Sequence, residues 1–354
     1  MKISNKVVYE NLDHLFQHSE TIPLRDDEKW VIFSDLHVGD GGSTDDFKSN
    51  SDLFLSTLQN YYYEKGYSLI LNGDVEELQR FPLKKIRNKW SNLYETFDTF
   101  SAKNRLIKTI GNHDLELGYL KQKPYDYPLK EAFKFKYKND HVFIFHGHQA
   151  SKKFQKHNQL IGFTLRYFAN PLGIKNYSVA HSSKKQYNIE KRVYHYSAYN
   201  KIASIIGHTH RPLFESLHKV ERLKYKVEQL CREFSFHNRD EELISKSIGL
   251  LKKDIRKYYK ENQDHNFQNY VYDSIFHIPC VFNSGCVIGK RGMTCIEIEN
   301  GNISLVHWFD KKISKKYLTQ TGYEPTPLEH SDYYRMVINK ETLDYIFTRI
   351  KFLT

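Results

Sequence analysis

Five short apolar runs, each closing on a polar or glycine step and then on metal-capable side chains, limit what this chain can become. The first, Trp30-Val31-Ile32-Phe33-Ser34, runs into Asp35-Leu36-His37. An apolar run of this length reads as a buried strand. Val38-Gly39-Asp40-Gly41-Gly42 cannot extend it easily and reads as a loop. Asp35 and His37 thus sit two positions apart at a strand exit, and on an extended chain that puts both side chains on one side. The same grammar returns four times. Ser68–Asn72 leads into Gly73-Asp74-Val75-Glu76-Glu77, and Arg105–Ile110 into Gly111-Asn112-His113-Asp114. His141–Phe145 leads into His146-Gly147-His148, and Ile202–Ile206 into Gly207-His208-Thr209-His210. Carboxylate oxygen and imidazole nitrogen are ligands that a divalent transition metal takes. In α/β sheets, ligands collect at the carboxyl ends of strands. Any one of these ends alone reads as a surface Asp or a core-edge His; five in order do not.

The ordered set Asp-x-His, Gly-Asp-x-x-Glu, Gly-Asn-His-Asp, His-Gly-His and Gly-His-Thr-His resembles the calcineurin-like metallophosphoesterase family over roughly the first two thirds of the chain. Asp74 follows Asp35 by 39 positions and Asn112 follows Asp74 by 38, room for one helix and one strand per step. The resemblance implies an α/β fold, a four-layer α-β-β-α sandwich, here with inserted helical segments. It implies a hydrolase with two divalent metal ions. Asp35, His37 and His210 complete one metal site, Asn112, His146 and His208 the other, and Asp74 is the bridging carboxylate. His113 matches the family's catalytic histidine, which stabilises the phosphoryl transition state or protonates the leaving oxygen. Asp114, its neighbour, is expected to accept a hydrogen bond from the His113 ring. Glu77 and His148 are expected to orient ligands, and Arg211 to reach a substrate phosphate. Donors of mixed N and O type suit manganese, with iron or zinc as alternatives, rather than a thiolate-bound metal.

The chemistry fits such residues. A phosphoester's negative charge repels a nucleophile, and its reaction passes through a state of more widely spread charge. Two cations ~3.5–4 Å apart hold the phosphoryl oxygens and make a bridging hydroxide available at neutral pH. The expected function is hydrolysis of a phosphate ester or pyrophosphate by that hydroxide. His208-Thr209-His210-Arg211-Pro212 and the basic stretch after His148 also resemble the UDP-diacylglucosamine pyrophosphatases of lipid A synthesis. Those enzymes carry Arg where this chain has His113 and Asp where it has His148, and lack a helical insertion at Glu215–Gln268. That enzyme, a metal-dependent nuclease and a catalytically silent scaffold are the alternatives.

The chain has 354 residues, enough for a large core. No run approaches the length that spans a bilayer, so no transmembrane segment is expected. Met1 to Glu28 is polar and charged, without the apolar stretch of a secretion signal, and a cytoplasmic enzyme is the expectation. The four cysteines, Cys231, Cys280, Cys286 and Cys295, form no Cys-x-x-Cys pair and read as buried or half-buried thiols. The net charge of +11 suits a phosphate-bearing substrate and leaves nucleic acid and peripheral membrane contact open. Its lysines are spread through the whole chain, however, which reads as a solvated surface.

Residues 29–214 and 271–310 are expected to form the core. Within them, 149–201 mixes Lys, Arg and aromatics and reads as a lid with substrate contacts at Lys152 and Arg166, or equally as a helical hairpin with solvated charge. Residues 215–270 read as an inserted helical hairpin that supports a homo-oligomer or a protein partner. Residues 311–354 read as a C-terminal extension with an amphipathic stretch at Leu343–Phe352. Asp46–Lys65 and Leu83–Ala102 each read as one amphipathic helix. The aromatics of the latter, Trp90, Tyr94, Phe97 and Phe100, read as a core face rather than a base-stacking platform. Cys280–Gly285, Met293–Glu299 and Ile303–Phe309 read as strands completing the second sheet, the last two joined by a hairpin at Glu299–Asn302.

Overall fold

The computed structural model describes residues 5–120, 124–151, 183–217, 219–237, 241–261, 277–318 and 323–354. In chain order its strands are β1 (Glu20–Pro23), β2 (Lys29–Phe33), β3 (Ser68–Asn72), β4 (Leu106–Thr109), β5 (Leu129–Lys130), β6 (Ala132–Tyr137) and β7 (Asp140–Phe145). Then follow β8 (Ala203–Ile206), β9 (Val281–Asn283), β10 (Met293–Glu299), β11 (Asn302–Asp310), β12 (Thr326–Pro327) and β13 (Tyr333–Thr342). The α-helices are α1 (Asn5–His18), α2 (Ser51–Thr57), α3 (Leu83–Lys89), α4 (Ser91–Ser101), α5 (Ser183–Tyr199), α6 (Lys219–His237), α7 (Glu241–Glu261) and α8 (Leu343–Leu353). The fold is mixed α/β: two sheets flanked by helices. One sheet has eight strands in the order β12-β13-β11-β10-β2-β3-β4-β5, the other five in the order β1-β6-β7-β8-β9.

The apolar runs behave as period-2 strands with both faces buried. Trp30 and Ile32 face a core shared with the five-stranded sheet, α1, α5 and α8. Val31 and Phe33 face a second core built with α2 and α4. Ile70 and Ile107 point into the first core, and Leu69, Leu71 and Leu106 into the second. Fully burying one such side chain is worth about 1.5–3 kcal/mol, so both layers hold the central strands. β2, β3 and β4 run parallel, as do β7, β8 and β9. Parallel neighbours need crossovers, and between β2 and β4 the helical segments supply them. All these strands therefore deliver their carboxyl ends to one edge.

Several expectations are corrected. β10 and β11 do not complete the second sheet. β10 pairs antiparallel with β2 in the eight-stranded sheet, and only β9 joins the other. β10 is buried on both faces, with Met293 and Cys295 in one core and Ile296 and Ile298 in the other, so it needs a place between two layers. The hairpin between β10 and β11 forms as read, Glu299 opposite Asn302, with Asn300 and Gly301 both at positive φ, as a tight hairpin turn requires. Residues 311–354 carry β13, hydrogen-bonded along β11, and the amphipathic stretch read at Leu343–Phe352 forms α8, which buries Leu343, Ile346, Phe347 and Ile350.

Leu83–Ala102 is two helices, broken at Trp90. Its indole Nε1 donates to Gly39 O at 3.1 Å and Asp45 Oδ2 at 3.0 Å, which fixes the ring on the loop after β2. The Asp46–Lys65 segment opens in a 3-10 turn, becomes α2 and widens into π-helical turns over Leu58–Tyr63. α6 and α7 pack on one another. Among the cysteines, Cys280 and Cys295 are buried, but Cys231 is exposed rather than half-buried. No described helix is long and apolar enough to cross a membrane.

Candidate metal centre

Each loop that leaves a central strand is laced to its neighbour. Asp35 N donates to Gly73 O, His37 N to Asp74 O and Val38 N to Val75 O. Across the two sheets, His208 N donates to the Asp35 carboxylate at 2.9 Å; within the five-stranded sheet, Gly207 N donates to His146 O. Five of the predicted ligands, Asp35, His37, Asp74, His208 and His210, have left-handed backbones with φ between 47° and 64°. Such a conformation costs on the order of 1–3 kcal/mol per non-glycine residue and clusters at functional sites. Here it turns successive side chains inward to one point. The glycine steps allow that approach. A Cβ on Gly73 would lie 2.5 Å from His146 Nδ1, and one on Gly111 would strike the Asp74 carboxylate.

The side chains converge in two adjacent groups, and a third set, His37, Asp74 and His113, overlaps both. Donor atoms of Asp35, His37 and His210 lie within 4.8 Å of one another, and so do those of Asp74, His146 and His208. His37 Nε2 and His210 Nε2 face each other at 3.1 Å. His210 Nε2 is 3.1 Å from Asp35 Oδ1, and His146 Nε2 is 3.1 Å from Asp74 Oδ2. Asp74 Oδ2 is also 3.9 Å from His37 Nε2, so this carboxylate reaches both groups. Asp35 and Asp74 are almost wholly buried.

Glu77 ties the histidines together. Its two oxygens accept from His37 Nδ1 at 2.9 Å and from His113 Nδ1 at 2.8 Å. A carboxylate on Nδ1 leaves Nε2 to face the cluster. His146 is held likewise, with Nδ1 2.8 Å from Asn72 O. Burial alone would raise Glu77, but the hydrogen bonds from His113 and His37 outweigh it and hold its carboxyl at about 2. Burial pushes His113 down, yet Asp74 and Glu77 lift it to about 9. Burial opposes charge on His146 too, and Asp74 and Asp35 raise it to about 10. His208 goes the other way, lowered to about 3 by burial and then by His146, which keeps its ring neutral.

Asp114 is not where it was expected to act. Its Oδ1 accepts from Gly111 N and its Oδ2 from Val75 N, and the partner of the His113 ring is Glu77. Both carboxylates lie close in sequence to the Gly-Asp and Gly-Asn-His steps, and only the turn geometry decides between them. Arg211 does not extend freely toward the cluster. Its guanidinium pairs with Glu190 of α5, and Glu190 also accepts from Thr209 Oγ1 at 2.9 Å. The Glu190 partnership left no signal in the sequence, since α5 is remote from the His-Thr-His step. His148 is buried, its ring 5.5 Å from that of His146 and 6.2 Å from that of His208. Lys152 and Arg166, the expected lid contacts, lie outside the described residues.

The residues fit a divalent cation. Asn112 Oδ1 and His208 Nε2 are buried with no hydrogen-bond partner among the described residues, and His146 Nε2 of the same predicted ligand set has only the Asp74 carboxylate, at 3.1 Å. A buried donor or acceptor without a partner costs ~1–3 kcal/mol. His37 Nε2 and His210 Nε2, 3.1 Å apart beside the Asp35 carboxylate, are nitrogen donors that a divalent cation can also take.

A family model described as calcineurin-like phosphoesterase matches residues 29–230, more than half of the chain. Among curated proteins nothing matches. Among solved structures, a conserved uncharacterized protein of Streptococcus pneumoniae TIGR4, titled as a predicted phosphoesterase, matches at 11% identity. That match covers 80% of this chain and 89% of the other with a TM-score of 0.29, a likeness that by itself carries nothing further. On the family match, this chain belongs to the calcineurin-like phosphoesterases, metal-dependent hydrolases of phosphoester bonds.

Proposed function

We propose that the chain hydrolyses a phosphate ester or pyrophosphate with two divalent cations, manganese being the metal its nitrogen and oxygen donors suit best. Asp35, His37 and His210 would hold one cation, and Asn112, His146 and His208 the other, with Asp74 within reach of both donor groups. The observation that carries this reading is the convergence of the two donor groups, each within 4.8 Å, around one buried carboxylate. When bound, the cations supply charge to offset the phosphoryl oxygens and acidify a water.

The chain's own residues do the rest. Glu77 fixes the tautomer and direction of His37 and His113 together. His113 Nε2 lies 4.0 Å from Asp74 Oδ2, and the His113 side chain keeps some solvent exposure where the Asp74 carboxylate has almost none. Protonated there, it donates to a phosphoryl oxygen or to the leaving oxygen, a step that typically gives 10²–10⁴-fold. Thr209, held by Glu190, Gln186 and Asn283, keeps His208 and His210 apart and aimed.

The test is turnover of p-nitrophenyl phosphate, its bis ester and a pyrophosphate with manganese added. Metal-dependent release from any of them supports the reading. No release from all three, in protein that binds manganese, overturns it.

A further inference from the structure

Beside α4, just behind the strand ends, three charged side chains are fully buried: Glu76, Lys108 and Asp114. Lys108 stands mid-strand in β4, where its neighbours Leu106 and Ile107 are core residues. Its ammonium pairs with Glu76 Oε2, lies 3.9 Å from Asp114 Oδ2 and sits 4.6 Å from the Tyr125 ring centre. Glu76 Oε1 also accepts from Tyr125 at 2.6 Å and from Tyr94 at 3.1 Å. Asp114 gives both oxygens to backbone amides, Gly111 N at 2.5 Å and Val75 N at 2.9 Å. Gly111 directly precedes Asn112, and Val75 directly follows Asp74. A buried ion cluster is weak as a source of stability, because apolar residues of like volume often stabilise as well or better. What this cluster does contact is the backbone of two loops that carry proposed ligands.

We propose that Lys108 is a positioning residue for the metal centre, a role that rests on the phosphoesterase reading above. Paired with Glu76, it holds Asp114 in place. Asp114 in turn sets the distance between the Asp74 loop and the Asn112-His113 loop. Removing the ammonium frees Asp114 to move, and the two loops lose their common anchor.

The test uses the full chain with Lys108→Met, which keeps the length and loses the charge, and with Lys108→Met/Glu76→Gln, which also removes the carboxylate left unpaired. Hydrogen exchange of the metal-free chain is followed at the peptides containing Val75 and Gly111. Manganese affinity is measured by calorimetry, and kcat and KM at saturating manganese. We expect faster exchange at those two peptides only. Manganese binding should weaken about 10–100-fold, the usual effect of losing a ligand-orienting partner, with kcat falling more than KM rises. The double variant should regain the wild-type Tm and keep the weakened manganese binding. If it regains manganese affinity together with Tm, or if either variant matches the wild type in both affinity and exchange, Lys108 is merely structural and the proposal fails. If Lys108→Met does not fold, the double variant decides. A wild type that binds manganese but hydrolyses nothing sinks the phosphoesterase reading instead, and exchange and affinity still judge Lys108.

Discussion

Glu77→Gln separates orientation from ligation at the proposed centre. Glutamine keeps the shape of Glu77, but its carbonyl serves only one of the two rings that now donate at 2.9 and 2.8 Å. Its NH2 group faces the N–H of the other. One charge-assisted hydrogen bond is lost, worth ~1.5–3 kcal/mol. At 1.4 kcal/mol per factor of ten, this corresponds to about 10–100-fold. Loss at His37 shows as weaker manganese binding, because that ring is freed to turn. Loss at His113 shows as lower kcat at saturating manganese. Calorimetric titration with manganese and initial rates on bis(p-nitrophenyl) phosphate read the two separately. In His113→Asn/Glu77→Gln the kcat loss should not exceed that of His113→Asn alone, and any manganese defect of Glu77→Gln should shrink, because the amide carbonyl is then free to accept from His37. A Glu77→Gln chain with wild-type kcat and wild-type manganese affinity would refute the assigned role.

Gly111→Ala should weaken manganese binding by at least about tenfold with the helical circular dichroism retained, since the new Cβ meets the Asp74 carboxylate and displaces an orienting contact. In the metal-free chain, His113 is lifted to about 9 from its ordinary 6.5, so its contribution to stability is complete below pH 6.5 and is lost as pH rises through 9. The Tm of the metal-free wild type should accordingly fall more between pH 7 and 9.5 than that of His113→Asn; equal slopes would contradict the assignment. Asp74→Asn should abolish hydrolysis in the p-nitrophenyl assay, because a buried carboxylate that reaches both donor groups is gone. Activity surviving that change would remove Asp74 from the centre.

The strand ends were legible because each proposed ligand lies within a few residues of the strand that aims it. Trp30–Ser34 announces where Asp35 will be, and Ser68–Asn72 does the same for Asp74. Pairings over long separations were not legible. β10 lies beside β2, yet Met293–Glu299 is as compatible with one sheet as with the other. Its two buried faces settle the matter only once both cores exist. The break at Trp90 depends on an indole reaching Gly39 and Asp45, some fifty and forty-five positions away. By sequence Asp114, the adjacent residue, was the candidate for the His113 ring, and Glu77 was read only as orienting ligands. The turn after Asp74 brings Glu77 under both histidines and sends Asp114 into the backbone. Arg211 looked free because Glu190 sits in a helix that no local pattern ties to the His-Thr-His step.

The most direct measurement is anomalous diffraction from crystals soaked in manganese. Two manganese peaks should appear on either side of Asp74, one against Asp35, His37 and His210, the other against Asn112, His146 and His208. An empty cleft, or peaks away from these side chains, would contradict the dinuclear centre.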